Sequence, residues 1–245
     1  MKKWVIYSAL FGDYDRIVDP DHAWPEFDFI CFTDQKGLKS KVWKFVFVRS
    51  EGESPVLLNR KYKILPHLFL SQYEVSLYLD VNIRPLKNPS ELIERELKDK
   101  DFFLPGHTLR NCLYEEAKEC IIFKKSGFQD TMSQLTRYSN DGFPRKFGLS
   151  ENGIMFRRHH APLIISLMEQ WWAEFGKGSK RDQLSLPYVF WKNDQQLPLG
   201  EFSADDQINF KKFPHSKELN SFLGKLKLSL MVRSRRIYFN FFRFL

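Results

Sequence analysis

The sequence predicts an α/β domain in which one mixed sheet is flanked by helices. Short apolar runs of strand length alternate with segments whose apolar residues recur every three or four positions. Such alternation is typical of a sheet covered by helices. A length of 245 residues, of which 43% are hydrophobic, is enough for a single domain with a sizeable core.

Each expected strand is an apolar run that ends at turn-forming or charged residues. The first run ends at Gly12 and Asp13, the second at Asp34 and the fourth at Asp80. The predicted strands cover residues 4–10, 27–32, 42–48, 74–79, 102–105 and 153–157.

The expected helices follow from apolar spacing and from the residues at their ends. Pro66 should kink or split the first helix, Asn88 should cap the second ahead of Pro89, and Pro187 should weaken the last. The predicted helices cover residues 55–72, 88–100, 114–125, 129–138, 159–175 and 181–191.

Composition excludes several classes of protein. No run of about 18 apolar residues is present, which argues against a spanning helix. Residues 1–4 lead directly into a strand pattern without the features of a signal peptide. Cys31, Cys112 and Cys120 form an odd set without metal-type spacing, which suits a reducing compartment. We therefore expect a cytoplasmic protein.

Positive charge is concentrated in a C-terminal tail, residues 216–245, which follows the main domain at residues 1–215. The whole chain carries a net charge of +8, yet Glu218 is the sole acidic residue of the tail. The remainder is nearly balanced and has no zinc-finger or RNP motif, so no nucleic-acid partner is expected.

The tail also has an apolar helical face followed by closely spaced phenylalanines. Basic and aromatic residues together favour peripheral contact with an anionic membrane, here the inner face. The alternative is that the tail packs against the main domain or a partner chain. The apolar positions are Leu219, Phe222, Leu223, Leu226 and Leu230, and the phenylalanines are Phe239, Phe241, Phe242 and Phe244.

Asp80 and Asn82 form the most informative motif. An apolar strand delivers the carboxylate at its carboxyl end, where open α/β sheets bind ligands. Side chains two apart in an extended chain face the same side, so both oxygens can face one Mn²⁺ or Mg²⁺ ion. The alternative is an ordinary turn, since both residues favour turns.

Two further segments are candidates for binding a nucleotide. Asn59, Arg60 and Lys63 share one face of the helix before the Asp80 strand, and an anion such as a diphosphate would relieve the repulsion between the two cations. The alternative, which this segment by itself favours, is an ordinary solvated basic face. At the end of the first strand, the aromatic rings of Phe11 and Tyr14 can stack on a base and Asp13 can accept a hydrogen bond. Turn formation alone explains this second segment equally well.

The order and spacing of these blocks resemble a glycosyltransferase-like family of GT-A fold that includes plant mucilage-related Golgi proteins and short bacterial proteins. The resemblance extends from residue 4 to about residue 195. It rests on residues 7–15 and 32–34, Asn59, Arg60, Lys63, residues 78–82, His107, Arg110, residues 114–117 and residues 181–183.

The resemblance implies a nucleotide-sugar donor and a divalent cation. GT-A enzymes usually carry Asp-x-Asp, whereas this chain has Asn82 at the second acidic position. A neutral amide binds a cation more weakly than a carboxylate does, so weakened metal binding is expected.

Further candidate residues lie later in the chain. Asp182, after a flexible basic loop, is expected to act as the base for the acceptor hydroxyl, and its alternative is to stabilise a helix start. Glu116 is a second catalytic candidate; the alternative for it and for Glu115 is to complement the dipole at the start of a helix. The remaining substrate-binding candidates are His107, Arg110, Glu115 and Gln183.

The sequence thus predicts a metal-dependent glycosyltransferase. It would move a sugar from a nucleoside diphosphate to a hydroxyl of a saccharide or lipid-linked acceptor, in the synthesis of surface polysaccharide or glycolipid. Two alternatives stay open, an inactive nucleotide-sugar-binding or scaffold protein and a metal-dependent hydrolase.

Overall fold

Seven strands of the described residues form one mixed sheet. The computed structural model describes residues 4–200, 202 and 209–215. A separate pair consists of β5 (Ile83–Pro85) and β9 (Phe210–Lys212). The strands of the main sheet are β1 (Trp4–Leu10), β2 (Phe27–Thr33), β3 (Lys44–Phe47), β4 (Val75–Leu79), β6 (Phe102–Pro105), β7 (Ile154–Arg157) and β8 (Leu199–Gly200).

The strand order is β3-β2-β1-β4-β7-β6-β8. β1 pairs in parallel with β2 and β4, and β2 pairs in parallel with β3. β7 is antiparallel to both of its neighbours, β4 and β6. The carboxyl ends of β1, β2, β4 and β6 therefore lie at one edge of the sheet, together with the amino end of β7.

Helices cover both faces of this sheet, as predicted. Along β1, Val5 and Tyr7 belong to one apolar cluster with the helices α1 (Pro55–Ile64) and α5 (Pro162–Lys177). Ile6 packs on the opposite face with Leu92 of α2 (Ser90–Glu96). This alternation is the two-residue period of a strand buried on both sides. The helices are α1 (Pro55–Ile64), α2 (Ser90–Glu96), α3 (Leu113–Ile122), α4 (Phe128–Asn140), α5 (Pro162–Lys177) and α6 (Leu186–Lys192).

The predicted elements are present, with differences at their ends. The helix expected from Asn88 begins at Ser90, because the Asn88 side chain accepts a hydrogen bond from the Ser90 N–H and forms a turn. Pro66 does end α1, and a single 3-10 turn follows. Pro187 lies in the first turn of α6, where proline costs no helical hydrogen bond, so it does not weaken that helix.

The C-terminal tail, residues 216–245, lies outside the described residues. Among the described helices, none combines the length and the apolar character needed to cross a bilayer.

His159 is a buried histidine between β7 and α5. Its Nε2 donates to the carbonyl of Leu70 at 3.1 Å, while Nδ1 is buried without a hydrogen-bond partner. Burial, together with the nearby charge of Arg157, lowers the pKa of His159 to about 4. Protonation would place a second N–H in a site that offers it no acceptor.

His159 is expected to make the protein sensitive to mild acid. The unfolded chain binds this proton near pH 6.5 and the folded chain only near pH 4, so the contribution of His159 to stability is lost as the pH falls between those values. Between pH 7.5 and pH 5 the loss is about 2 kcal/mol. Urea unfolding of wild type, His159→Gln and the exposed control His22→Gln at both pH values measures it. An equal loss in His159→Gln would contradict the assignment.

Candidate functional site

The edge formed by the carboxyl ends of β1, β2, β4 and β6 brings together side chains that are far apart in the sequence. The turn at Gly12 follows β1, Asp34 follows β2, Asp80 follows β4 and His107 follows β6. The Asp34 carboxylate accepts hydrogen bonds from the Gly12 N–H at 3.0 and 3.2 Å, which joins the first two strand ends.

Asp80 lies at the centre of this edge, and its side chain is 36% exposed. One carboxylate oxygen, Oδ1, accepts a hydrogen bond from the Tyr78 hydroxyl at 2.9 Å and lies 3.3 Å from Lys63 Nζ. Burial favours the protonated form, but Lys63 and Arg60 outweigh it, and the pKa of Asp80 lies below its usual value. Asp80 is therefore an anion at neutral pH.

Lys63 joins Asp80 to Asp182 through a buried ammonium group. Lys63 Nζ lies 2.8 Å from Asp182 Oδ2, and the Lys63 side chain is 2% exposed. Arg60 Nε lies 3.3 Å from the other oxygen of Asp182. The anion that the Arg60 and Lys63 pair requires is thus supplied by the protein itself. We call Arg60, Lys63, Asp80 and Asp182 the ion cluster.

Asp182 has a geometry that favours a positioning role over the expected role as base. Its carboxylate is buried, and although burial raises its pKa, the charges of Arg60, Lys63 and Arg181 lower it far below the usual value. A carboxylate held so firmly in its charged form accepts a proton poorly.

The backbone on both sides of the ion cluster is fixed by buried polar contacts. At the carboxyl end of α1, the Lys63 carbonyl accepts hydrogen bonds from the Tyr7 hydroxyl at 3.0 Å and from Arg157 at 2.7 Å. These donors satisfy a carbonyl that a helix end leaves unpaired. Opposite, the indole N–H of Trp171 donates to the Asp182 carbonyl at 3.1 Å.

The side chain and the backbone of Asn82 both form hydrogen bonds with Phe213. Its amide donates to the Phe213 carbonyl at 2.7 Å, and its own backbone carbonyl accepts the Phe213 N–H at 2.8 Å. The side-chain oxygen, Oδ1, is buried without a hydrogen-bond partner. A buried carbonyl oxygen of this kind is satisfied when a cation binds it.

Residues 80–83 form a turn in which the Ile83 N–H donates to the Asp80 carbonyl at 2.8 Å, so the extended geometry expected for Asp80 and Asn82 is not observed. The donor atoms of this turn are still of the kind that binds a divalent cation shared with a substrate. Asp80 and Asn82 provide hard oxygen atoms, and Mg²⁺ is often bound by one or two protein carboxylates plus substrate phosphates. Within residues 4–200, 202 and 209–215, no group of three or more His, Cys, Asp or Glu residues forms a metal site by itself. His215 Nδ1 lies 2.5 Å from Asp15 Oδ2, within hydrogen-bond distance.

The aromatic candidates at the end of β1 have different environments. Phe11 is buried and stacks on Tyr62 with ring centroids 5.5 Å apart, so this ring belongs to the core and does not face a nucleotide. Tyr14 is 52% exposed, and Asp13 beside it is also exposed. Asn59 donates to the Ala9 carbonyl at 2.6 Å and so ties α1 to β1.

A second group of the predicted residues lies beyond β6. Arg110 holds the buried Glu116 carboxylate through contacts of 2.6 and 2.7 Å, and His107 Nε2 lies 3.7 Å from the same carboxylate. Glu115 is exposed on α3. Gln183 donates to the Ser150 carbonyl at 2.7 Å. The pairing of Glu116 with Arg110 favours a structural role over the expected catalytic one.

Sequence reasoning missed a cavity at the same edge and the carboxylate of Glu151, which lines it. The cavity has a volume of about 630 Å³ and also includes His107, Gly153 and Phe202 in its wall. The available signal was Gly153 directly before a strand, since glycine there often marks a close approach. A Cβ atom at Gly153 would lie 3.1 Å from Asp80 Oδ2.

Comparison with known proteins identifies the family. The sequence model described as "TOD1/MUCI70, glycosyltransferase-like domain" matches residues 1–215. The chain belongs to this family. The resemblance inferred from the sequence is thereby confirmed, and membership supports glycosyl transfer as the general activity.

The comparisons with curated proteins and with solved structures give less information about this chain. No curated protein matches the chain significantly. Among solved structures, the chain is similar to mouse xyloside xylosyltransferase 1 in its apo form, with 12% sequence identity and a TM-score of 0.40 over 72% of each chain. A likeness this distant carries no information on substrate.

Asp182→Asn is expected to destabilise the protein. The substitution leaves the buried Lys63 ammonium and Arg60 without one of their counter-charges, and removing one partner of a buried ion pair costs about 3 kcal/mol or more. Urea unfolding at pH 7.5, with the exposed Asp99→Asn as control, measures the free energy of unfolding. If Asp182→Asn keeps its stability and loses only turnover, Asp182 acts as the base after all.

Proposed function

We propose that the protein transfers a sugar from a nucleoside diphosphate donor to a hydroxyl of a saccharide or lipid-linked acceptor, with Mn²⁺ or Mg²⁺ as cofactor. The observation that carries this proposal is the pair formed by the ionised Asp80 carboxylate and the unpaired Asn82 oxygen at the sheet edge. In a chain of a glycosyltransferase-like family, this is the place where a cation and a diphosphate would meet.

The donor nucleotide would lie over the carboxyl ends of β1 and β4. Tyr14 offers an exposed ring for stacking and Asp13 an exposed acceptor. Arg60 contacts Asp182, yet its side chain remains 20% exposed and is available to a phosphate oxygen. Lys63 is enclosed, so it acts through the positions of Asp80 and Asp182 and not by direct contact.

Asp80 and Asn82 would hold the cation, which supplies positive charge to the leaving diphosphate when bound. The chain itself keeps Asp80 ionised and directed by Lys63 and Tyr78. Phe213 holds the Asn82 amide nitrogen, so that the oxygen is the part of the side chain left for a ligand. Preorganised charge of this kind lowers the barrier without moving in the reaction.

A second candidate is a protein of this family that binds nucleotide sugars without turning them over. It is favoured by the neutral Asn82, which stands where a second carboxylate would bind a cation more strongly, and by the contact of Asp80 with Lys63. Donor binding measured by calorimetry without release of nucleoside diphosphate, in the presence of Mn²⁺, would establish this alternative.

Asp80→Asn is expected to abolish donor turnover and to weaken Mn²⁺ binding by at least about tenfold, a loss typical of disturbed metal sites. Asn82→Asp is expected to strengthen Mn²⁺ binding because it adds a second charge beside the ion. Calorimetric Mn²⁺ titration and release of nucleoside diphosphate are measured on both variants and on Asp99→Asn. Circular dichroism checks that each variant is folded. Unchanged Mn²⁺ binding in Asp80→Asn would remove the proposed metal site.

The C-terminal tail is proposed to hold the protein at an anionic membrane surface, the cytoplasmic face if the protein is cytoplasmic, close to a lipid-linked acceptor. Each basic residue near anionic lipid contributes about 1 kcal/mol. Full-length protein should therefore pellet with phosphatidylglycerol vesicles but not with phosphatidylcholine vesicles. Replacing Arg233, Arg235 and Arg236 with Glu should abolish pelleting, and equal pelleting of this variant would contradict the proposal.

A further inference from the structure

The cavity beside Asp80 belongs to no role described so far. It lies over the ends of β6 and β7, whereas Tyr14 and Asn59 lie at the end of β1, on the other side of β4 in the strand order. Its wall reaches Asp80 through Gly153, whose carbonyl accepts the Asp80 N–H at 2.9 Å. A volume of about 630 Å³ is typical of a small-molecule site.

Apolar groups form one part of the cavity wall. Phe202 and Phe210 stack on each other with centroids 5.9 Å apart and nearly parallel planes, and Ile83 extends this surface. A sugar ring has an apolar face of carbon-bound hydrogens as well as hydroxyl groups. An aromatic wall facing a few polar groups is suited to a ligand of that kind.

His107, Thr108, Glu151 and Lys212 are the polar side chains of the wall, and His107 and Glu151 lie next to each other. His107 Nδ1 accepts hydrogen bonds from the backbone N–H groups of Leu109 and Arg110, each at 3.1 Å. The proton of the neutral ring is therefore on Nε2, which is then a donor and cannot act as a base. Arg110 Nη2 lies 3.3 Å from Nε2, and the Nε and Nη2 groups of Arg110 both contact Glu116.

Glu151 faces this donor with a carboxylate that substrate can reach. His107 Nε2 lies 3.6 Å from Glu151 Oε1, and the Glu151 side chain is 40% exposed. Catalytic hydrogen bonds are often this long before substrate binds and then shorten. The Glu151 N–H donates to the Pro105 carbonyl at 2.8 Å, so the end of β6 fixes the position of the residue.

We propose that this cavity binds the acceptor saccharide and that Glu151, positioned by His107, accepts the proton of the attacking hydroxyl. The inference rests on the proposed function. Compared with Asp182, which is buried between two cations, Glu151 is accessible and lines the cavity next to Asp80.

The proton and electron balance of the step is complete. The acceptor oxygen forms a bond to the anomeric carbon of the donor sugar while its proton passes to the Glu151 carboxylate. The bond between the anomeric carbon and the phosphate oxygen breaks, and its electron pair leaves with the nucleoside diphosphate. Glu151 then releases the proton to solvent.

Glu151→Gln is expected to lower kcat for transfer by about 100-fold or more, the usual contribution of a general base. Glutamine keeps the shape of the side chain and cannot take the proton. The donors are UDP-glucose, UDP-galactose, UDP-xylose, UDP-N-acetylglucosamine and GDP-mannose, each with Mn²⁺. The acceptors are methyl glycosides and xylo-, cello- and manno-oligosaccharides. The exposed Glu94→Gln is the matched control, and calorimetry should show unchanged donor binding in both variants.

His107→Ala tests the positioning role through a double-variant cycle. If His107 acts through Glu151, the variant carrying both substitutions is no slower than Glu151→Gln alone, whereas a merely structural loss would add to it. Thr108→Trp, which fills the cavity from an exposed loop, should abolish saccharide transfer and keep donor binding. Thr136→Trp, exposed on α4, is its control.

The outcomes separate the two proposals. Transfer by Glu151→Gln at the wild-type rate, or full transfer by Thr108→Trp, overturns the inference while leaving the glycosyltransferase intact. A wild-type protein that binds none of the donors overturns the proposed function and this inference with it. Loss of transfer with retained donor binding in both variants supports the acceptor site.

Discussion

The buried ammonium of Lys63 is the contact on which the arrangement of the site depends. A cation removed from water is tolerated only where anions replace its hydration, and here Asp182 and Asp80 do so at 2.8 and 3.3 Å. These two carboxylates come from segments about a hundred residues apart in the chain. The packing of α1, the end of β4 and the turn before α6 is therefore fixed around one charge.

The backbone around the ion cluster must be rigid, and buried polar residues of the core hold it in place. Arg157 and Tyr7 hold the backbone at Lys63, and Trp171 holds the backbone at Asp182. Because the backbone is held in place at both Lys63 and Asp182, Asp80 stays ionised and keeps its orientation before any ligand binds. Such preorganisation is what the proposed electrostatic stabilisation of a leaving diphosphate would require. It also places Asp80 between the end of β1 and the cavity over β6 and β7.

Local patterns accounted for most of the architecture. Residues 4–10 and 102–105 are strands as predicted, since apolar runs ending at turn residues leave few other solutions. The short strands were not predicted. β5 and β9 have three residues each and β8 has two, which is too few for an alternating apolar pattern to be recognised. α2 also begins two residues later than predicted, because the Asn88 side chain accepts a hydrogen bond from the Ser90 N–H and forms a turn.

The sequence by itself determined that a carboxylate follows β4 at the edge where open α/β sheets bind ligands, that Arg60 and Lys63 share a helix face, and that Asn82 is neutral. Only the tertiary structure decided which groups these side chains meet. Asp182 and not a ligand neutralises the cations, Phe11 enters the core, and Glu151 reaches the cavity. Strand and helix periods depend on near neighbours in the chain. Ion pairing, burial and cavities depend on segments that come into contact only after folding. The spacing of residues in the sequence does not show which segments will be in contact.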